Sequence, residues 1–299
     1  MISRVKQLTA KLSEDLQHSK QDLSTLIVWR DVFCELMVTS FLMIMVTLVL
    51  ITNNVEAYKP GVTHFGIFAG FFVYMLLEGY GNISCVANPM AAFCFYLAGK
   101  FSIAKTILFT AAHVTGCICG SVIGYELTPA ARLAEPGGAF HAFNPANHGL
   151  TVTQSVFVEA ILSFNLIFVV LSLHGSELGR PYPILPNLAI GIVIGTSIMA
   201  AGTHTGGFMN PLISLGPAFL SHDFKNHWIY WVGPYIGGPP AVYVYKMFVF
   251  IKRRNDLMAN DVLLESSPRS YISNSVPASD VLAMSIVPNI RTCQSSSSL

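Results

Sequence analysis

Two Asn-Pro pairs, Asn88-Pro89 and Asn210-Pro211, and two carboxylates inside otherwise uncharged apolar runs, Glu35 and Glu159, are the residues of this chain best placed to do chemistry. Proline costs nothing at the first position of a helix, where the N–H it lacks would be unpaired, and asparagine just before it is a favoured cap. Each pair therefore predicts a helix start, with the positive end, about half a charge, that aligned peptide dipoles produce. Such ends bind and orient hydrogen-bonding groups; they break no bonds. Nucleophile, base and orienting group converge nowhere in the sequence, and no residues have metal-ligand spacing, so no catalytic residue, cofactor or metal is expected.

The elements that carry these residues are built for lipid. Of the 299 residues 53% are hydrophobic and 11% charged, with mean hydropathy +0.55, whereas a soluble domain carries about a quarter charged residues. A net charge of +1 offers no basic face for nucleic acid. Six apolar runs, from Trp29 to Ile51, Phe65 to Leu77, Thr106 to Tyr125, Val152 to Leu173, Ile184 to Ala201 and Trp228 to Ile251, read as bilayer-crossing helices. Every Lys and Arg except Lys59, Arg132 and Lys225 falls on the side of the termini, which the positive-inside rule assigns to the cytoplasm. The expected organisation is a cytosolic N-terminal arm (1–28), a channel domain (29–252) and a mobile cytosolic tail (253–299). No retention signal is evident, so plasma membrane is the default address. The six cysteines, mostly inside apolar runs and without paired spacing, read as reduced, buried thiols.

The channel domain repeats itself, about 29–127 against 152–252. Val32-Phe33-Cys34-Glu35 matches Val156-Phe157-Val158-Glu159; Glu35 precedes Asn88 by 53 residues and Glu159 precedes Asn210 by 51. Gly116 and Gly120 correspond to Gly233 and Gly237, with the small-xxx-small spacing that lets helices approach closely. Three spans per half is an odd number, so the halves enter the membrane inverted. Each Asn-Pro pair opens a segment too short to cross, Met90 to Gly99 and Leu212 to Leu220; these are expected to be re-entrant half-helices meeting end to end at mid-membrane.

These residues resemble the aquaporins, the major intrinsic protein family. The twin Asn-Pro-Ala motifs of that family appear here as Asn88-Pro89-Met90 and Asn210-Pro211-Leu212, and Ser214 to Ala218 followed by Asn226 to Pro234 is similar to water-channel sequence almost residue for residue. The resemblance, from about Trp29 to Ile251, implies an all-α membrane fold of six transmembrane helices plus two re-entrant half-helices in an inverted 3+3 repeat. It further implies a pore in each subunit, a homotetramer in the lipid bilayer, Asn88 and Asn210 donating to a passing water, and Glu35 and Glu159 accepting from the re-entrant backbones.

Departures from the family pattern bear on what passes. Ile213 stands where a filter arginine is usual. The remaining filter positions align with Phe68 (or Ala69), Ile198 and Gly207, and Met90 and Leu212 alter the motifs themselves. Ser214, Ala218, Tyr230 and Trp231 nonetheless follow the water-selective pattern. The leading reading is a passive water channel, extended to small neutral solutes by an uncharged filter. The alternatives are an ion-leaking channel and a non-conducting adhesion or assembly protein on the same scaffold.

Cys85, three residues before Asn88 as Gly207 is before Asn210, is expected to face the pore, with an inert buried thiol as the alternative. Glu78 is read as an end-of-span charge meeting interfacial water or tuning the vestibule, and His204 as a pH sensor or a loop hydrogen-bonder. Asn82-Ile83-Ser84 fits the glycosylation pattern on the side that is not glycosylated. Ser266, Ser267 and Ser270 are candidate phosphorylation sites, and Ser297-Ser298-Leu299 fits a PDZ groove.

Overall fold

A computed structural model describes residues 2–54, 61–134, 144–145, 149–174 and 184–266. Among them the chain is helical: α1 (Ile2–Ser24), α2 (Leu26–Asn54), α3 (Gly61–Tyr80), α4 (Pro89–Ala98), α5 (Ile103–Glu126), α6 (Ala130–Leu133), α7 (Val152–His174), α8 (Ile184–Ala201), α9 (Pro211–Ser221) and α10 (Ile229–Ser266). The six spans are α2, α3, α5, α7, α8 and α10; α4 and α9 are the half-helices. Four of the spans are long and apolar enough to cross a bilayer on length and composition alone, α2, α3, α5 and α7, and α8 contributes a shorter apolar run, Leu185–Ala201. Pro234, Pro239 and Pro240 lie inside α10.

The half-helices start and stop by the same devices. Asn88 (φ −153°) and Asn210 (φ −144°) are extended caps whose side chains accept from the N–H of Met90 and Leu212 respectively. At the other ends Gly99 (φ 81°) and His222 (φ 54°) turn left-handed. There Lys100 N–H returns to Phe95 C=O and Asp223 N–H to Ala218 C=O, satisfying carbonyls the helix leaves unpaired. Thr151 and Gln154 form a reciprocal capping box at the start of α7.

Glycine seams reproduce the repeat in space. A methyl group on Gly120 of α5 would overlap Ser40 C=O of α2, and one on Gly237 of α10 would overlap Ala160 C=O of α7. The two halves meet where Gly70 of α3 opposes Gly191 of α8; a Cβ on Gly70 would lie 2.8 Å from the Gly191 oxygen. Backbones that close are held by dispersion and packing, the forces left between helices in lipid.

The structure adds detail at both ends of the chain and corrects the reading of one cysteine. The N-terminal arm is a helix docked to the bundle, with Ser19 buried and Asp22 accepting from the Ser102 hydroxyl. α10 continues past residue 253 to Ser266. The chain divides into a unit from Met1 to Met247 and a second from Phe248, whose described part, 248–266, is helical. Cys119 is exposed, unlike Cys34, Cys94 and Cys117. Ser267, Ser270, Cys293 and Ser297 to Leu299 lie outside the described residues.

Candidate functional site

The site is built outward from two buried carboxylates. Glu35 of α2 accepts from Ser84 Oγ and from the backbone N–H of Val86 (2.9 Å) and Ala87 (2.9 Å), and His113 Nε2 of α5 lies 2.8 Å away. Glu159 of α7 accepts from Thr205 Oγ1 (2.6 Å) and from the N–H of Phe208 (3.1 Å) and Met209 (2.8 Å). Both side chains are fully buried, where an unpaired carboxylate would be costly; each instead satisfies the irregular backbone that leads into a half-helix.

That backbone is strained in the same place twice. Ala87 (φ 46°) and Met209 (φ 53°), immediately before the two asparagines, lie in the left-handed region that residues with a Cβ seldom adopt. Their N–H groups are held by Glu35 and Glu159, and their carbonyls by the opposite asparagines. Asn88 Nδ2 donates to Met209 C=O at 3.1 Å, and Asn210 Nδ2 donates to Ala87 C=O at 2.8 Å. An amide nitrogen carries two hydrogens. One is used in each cross-tie; the second is available to the cavity both residues line.

The cavity, about 160 Å³, is bounded by Asn88 and Asn210 and by apolar groups from α2, α3, α4, α7 and α8, among them Phe65, Phe72 and Phe95. A water needs roughly 10–15 Å³ of such space, so several fit. No charged side chain is among the described lining residues. Of the sequence-predicted residues, Asn88, Asn210, Phe68, Ile198, Ile213 and Cys85 line it, and Ala69 lines it beside Phe68.

Three do not. Met90 packs against Cys94, Ile167 and Leu171, and Leu212 against Cys34, Val38 and Met43; both are 0% exposed. Gly207 (φ 63°) turns its backbone onto Ser197 C=O, 2.8 Å from where a Cβ would be, and Phe208 lines the cavity in its stead. Phe208 and His113 were not anticipated from the sequence. The signal for His113 was a histidine three residues before Gly116 in an apolar run; for Phe208 there was none beyond its place before the second motif.

Two peripheral residues have ordinary partners. Glu78 accepts from Asn187 Nδ2 at 2.9 Å, and Thr203 Oγ1 lies 3.3 Å from His204 Nδ1; both sites are exposed. His227, just before α10, ties that link to α9: Ser214 Oγ lies 2.9 Å from its Nδ1, and Trp231 Nε1 donates to its Nε2 at 2.8 Å. Burial holds its imidazole below the usual histidine pKa.

The profile of a family described as Major intrinsic protein matches residues 22–245. Aquaporin TIP1-2 of Musa acuminata is 30% identical over 196 residues, 65% of this chain and 75% of that relative. The lens fiber major intrinsic protein of Oryctolagus cuniculus is 29% identical over 227 residues, 74% of this chain and 82% of the relative. In fold, the chain resembles the aquaglyceroporin from Plasmodium falciparum with a TM-score of 0.60 at 21% identity, covering 73% of this chain and 95% of that one.

Proposed function

The chain belongs to the major intrinsic protein family, passive membrane channels for water or small solutes and not enzymes, and from that premise we propose that its central cavity is a conduction path for water and small uncharged solutes with an apolar, uncharged filter. The observation that carries this reading is the crossed pair of Asn88 and Asn210, the paired amides at the meeting point of two half-helix starts in an otherwise apolar lining.

The free N–H of each amide supplies a hydrogen bond to the permeant's oxygen, and the two positive helix ends orient it and oppose cations. Beside them Phe68, Ile198, Phe208 and Ile213, grouped in one apolar cluster, offer no donor. Water crossing them gives up hydrogen bonds worth about 1 kcal/mol net each, which slows it. An ion gives up far more, because a charge in an apolar passage has no compensating partner. A solute with apolar carbon surface recovers part of that cost by contact.

The charge distribution supports cytoplasmic termini, and the family supports assembly as a homotetramer with a path in each subunit. The test of the path is thiol block. Mercurial reagent is expected to inhibit osmotic flux through the Cys119→Ser protein and to lose that effect when Cys85→Ser is added. Block that survives Cys85→Ser places the path elsewhere.

A further inference from the structure

The first helix meets the protein with its polar residues and leaves its leucines outside. Asp15 accepts from Tyr96 Oη (3.3 Å), Ser19 Oγ accepts from Ala104 N–H (3.3 Å) and Asp22 accepts from Ser102 Oγ (2.5 Å). Leu12, Leu16 and Leu23 are 58%, 52% and 47% exposed. At the α-helical period of about 100° per residue the three leucines fall within about 40° of one another, roughly 70° around the helix from the anchoring stripe. Glu14, Gln17 and Gln21, all exposed, occupy the side opposite the leucines. The helix therefore has three faces: one to the bundle, one apolar, one polar.

Its anchors lie at the ends of other elements. Tyr96 is in the last turn of α4, Ser102 caps α5 and Ala104 opens it. A helix that crosses such ends runs along the rim of the bundle and not beside a span. Its apolar stripe leads through the turn at Thr25 into Leu26, Ile27, Trp29 and Phe33 of α2, which are 85%, 56%, 49% and 62% exposed. Those residues belong to a helix that crosses the bilayer, so the leucine stripe ends on outward-facing apolar surface of a membrane span.

We propose that α1 is an interfacial helix, bedding Leu12, Leu16 and Leu23 in the headgroup–acyl boundary of the bilayer that the protein spans. The geometry is that of a helix lying in the interface plane: apolar face to the acyl chains, polar face to water, and here a third face latched to the protein. Lys20, exposed beside the leucines, is within reach of lipid phosphates by extending its stem. Through Asp22 and Ser19 the lipid surface is tied to the first turn of α5, whose Lys105 Nζ in turn pairs with Asp31 of α2 at 3.0 Å. The proposal rests on the membrane-spanning fold and not on which solute passes.

The test uses the full-length protein in phospholipid nanodiscs. An environment-sensitive fluorophore is attached at Leu16→Cys or at Gln21→Cys, in a background with Cys85→Ser, Cys119→Ser and Cys293→Ser. At position 16 emission should shift to the blue, resist aqueous iodide and be quenched by lipid spin-labelled near the headgroup; at 21 the pattern should reverse. Equal iodide quenching at both positions overturns the proposal. So does a fluorophore at 16 shielded from iodide yet untouched by spin-labelled lipid, which would put a second copy or another protein on that face. To exclude insertion driven by the label, amide exchange is compared between the unlabelled protein and the Leu12→Ser, Leu16→Ser, Leu23→Ser triple variant. Residues 9–24 should exchange severalfold faster in the variant, with α2 unchanged; identical exchange in the two also overturns it.

Discussion

Asn88 and Asn210 hold each other's approach: each side-chain amide donates to the carbonyl of the residue that precedes the other, at 3.1 and 2.8 Å. Each also caps its own half-helix. A single residue thus closes a helix end, ties the two halves of the repeat and retains one hydrogen for the cavity.

These roles separate by substitution. Asn210→Ala removes both the cap and the tie to Ala87, and should lower stability by about 1–2 kcal/mol for the cap alone. Asn210→Asp keeps an acceptor for Leu212 N–H but sets an oxygen against the Ala87 carbonyl. Thermal unfolding and osmotic flux, measured together, should show flux lost in both variants, with the Asp variant no more stable than wild type. Unchanged flux in either removes the amide from the path.

The Glu159 carboxylate accepts three hydrogen bonds and donates none. Glu159→Gln replaces one oxygen with an NH2: in the Oε1 position it meets Phe208 N–H, in the Oε2 position Met209 N–H, so either orientation sets donor against donor. A buried group left without its partner costs about 1–3 kcal/mol. The expected result is a lower melting temperature and a smaller folded fraction by size-exclusion chromatography. A Gln variant as stable as wild type would mean that the second re-entrant segment is held by other means.

Gly237→Ala should destabilise more than an alanine at an open position such as Gly79. A methyl at 237 overlaps Ala160 C=O, whereas one at 79 meets nothing within 4 Å. Separating α10 from α7 to make room is overpacking, about 1–3 kcal/mol. Comparing melting temperatures of the two variants checks it; equal shifts contradict the seam.

Stability should fall in mild acid through His227. Trp231 Nε1 can only donate, so His227 Nε2 is the acceptor and the neutral ring carries its proton on Nδ1, toward Ser214. Protonation would put two donors face to face. The folded pKa is lowered by burial, so between the folded and unfolded values the unfolded chain binds more protons and stability rises with pH. The contribution is complete above about pH 6.5, the unfolded value, and is lost as pH falls through the folded one. Melting temperature measured across that window should drop in wild type and drop less in His227→Leu.

What was legible in the sequence was what local rules determine. Asn-Pro caps, the matched spacing from Glu35 and Glu159, and the paired glycines are short-range patterns with a direct physical meaning, and each appears in the structure at the expected place. What depended on one residue of loop length was not. The two re-entrant segments differ there: Ser84, which donates to Glu35, is four residues before Asn88, whereas Thr205, which donates to Glu159, is five before Asn210. Gly206 and Gly207 take the room that Cys85 alone occupies in the first half, so Phe208 and not Gly207 reaches the cavity. Met90 and Leu212 follow the cap directly and turn into the packing between helices, which motif comparison does not reveal. His113 and the docking of α1 depend on residues distant in sequence; polarity alone made α1 read as an arm, because its polar stripe is the face that binds.

The central claim is a path for water and small uncharged solutes past Ile213. The most direct measurement is stopped-flow light scattering on proteoliposomes of purified protein at verified incorporation, with water and glycerol permeability determined separately, for wild type and Ile213→Arg. Wild type should exceed empty liposomes for water and admit glycerol, and Ile213→Arg should lower glycerol more than water. Water and glycerol permeabilities no higher than those of empty liposomes would contradict the account.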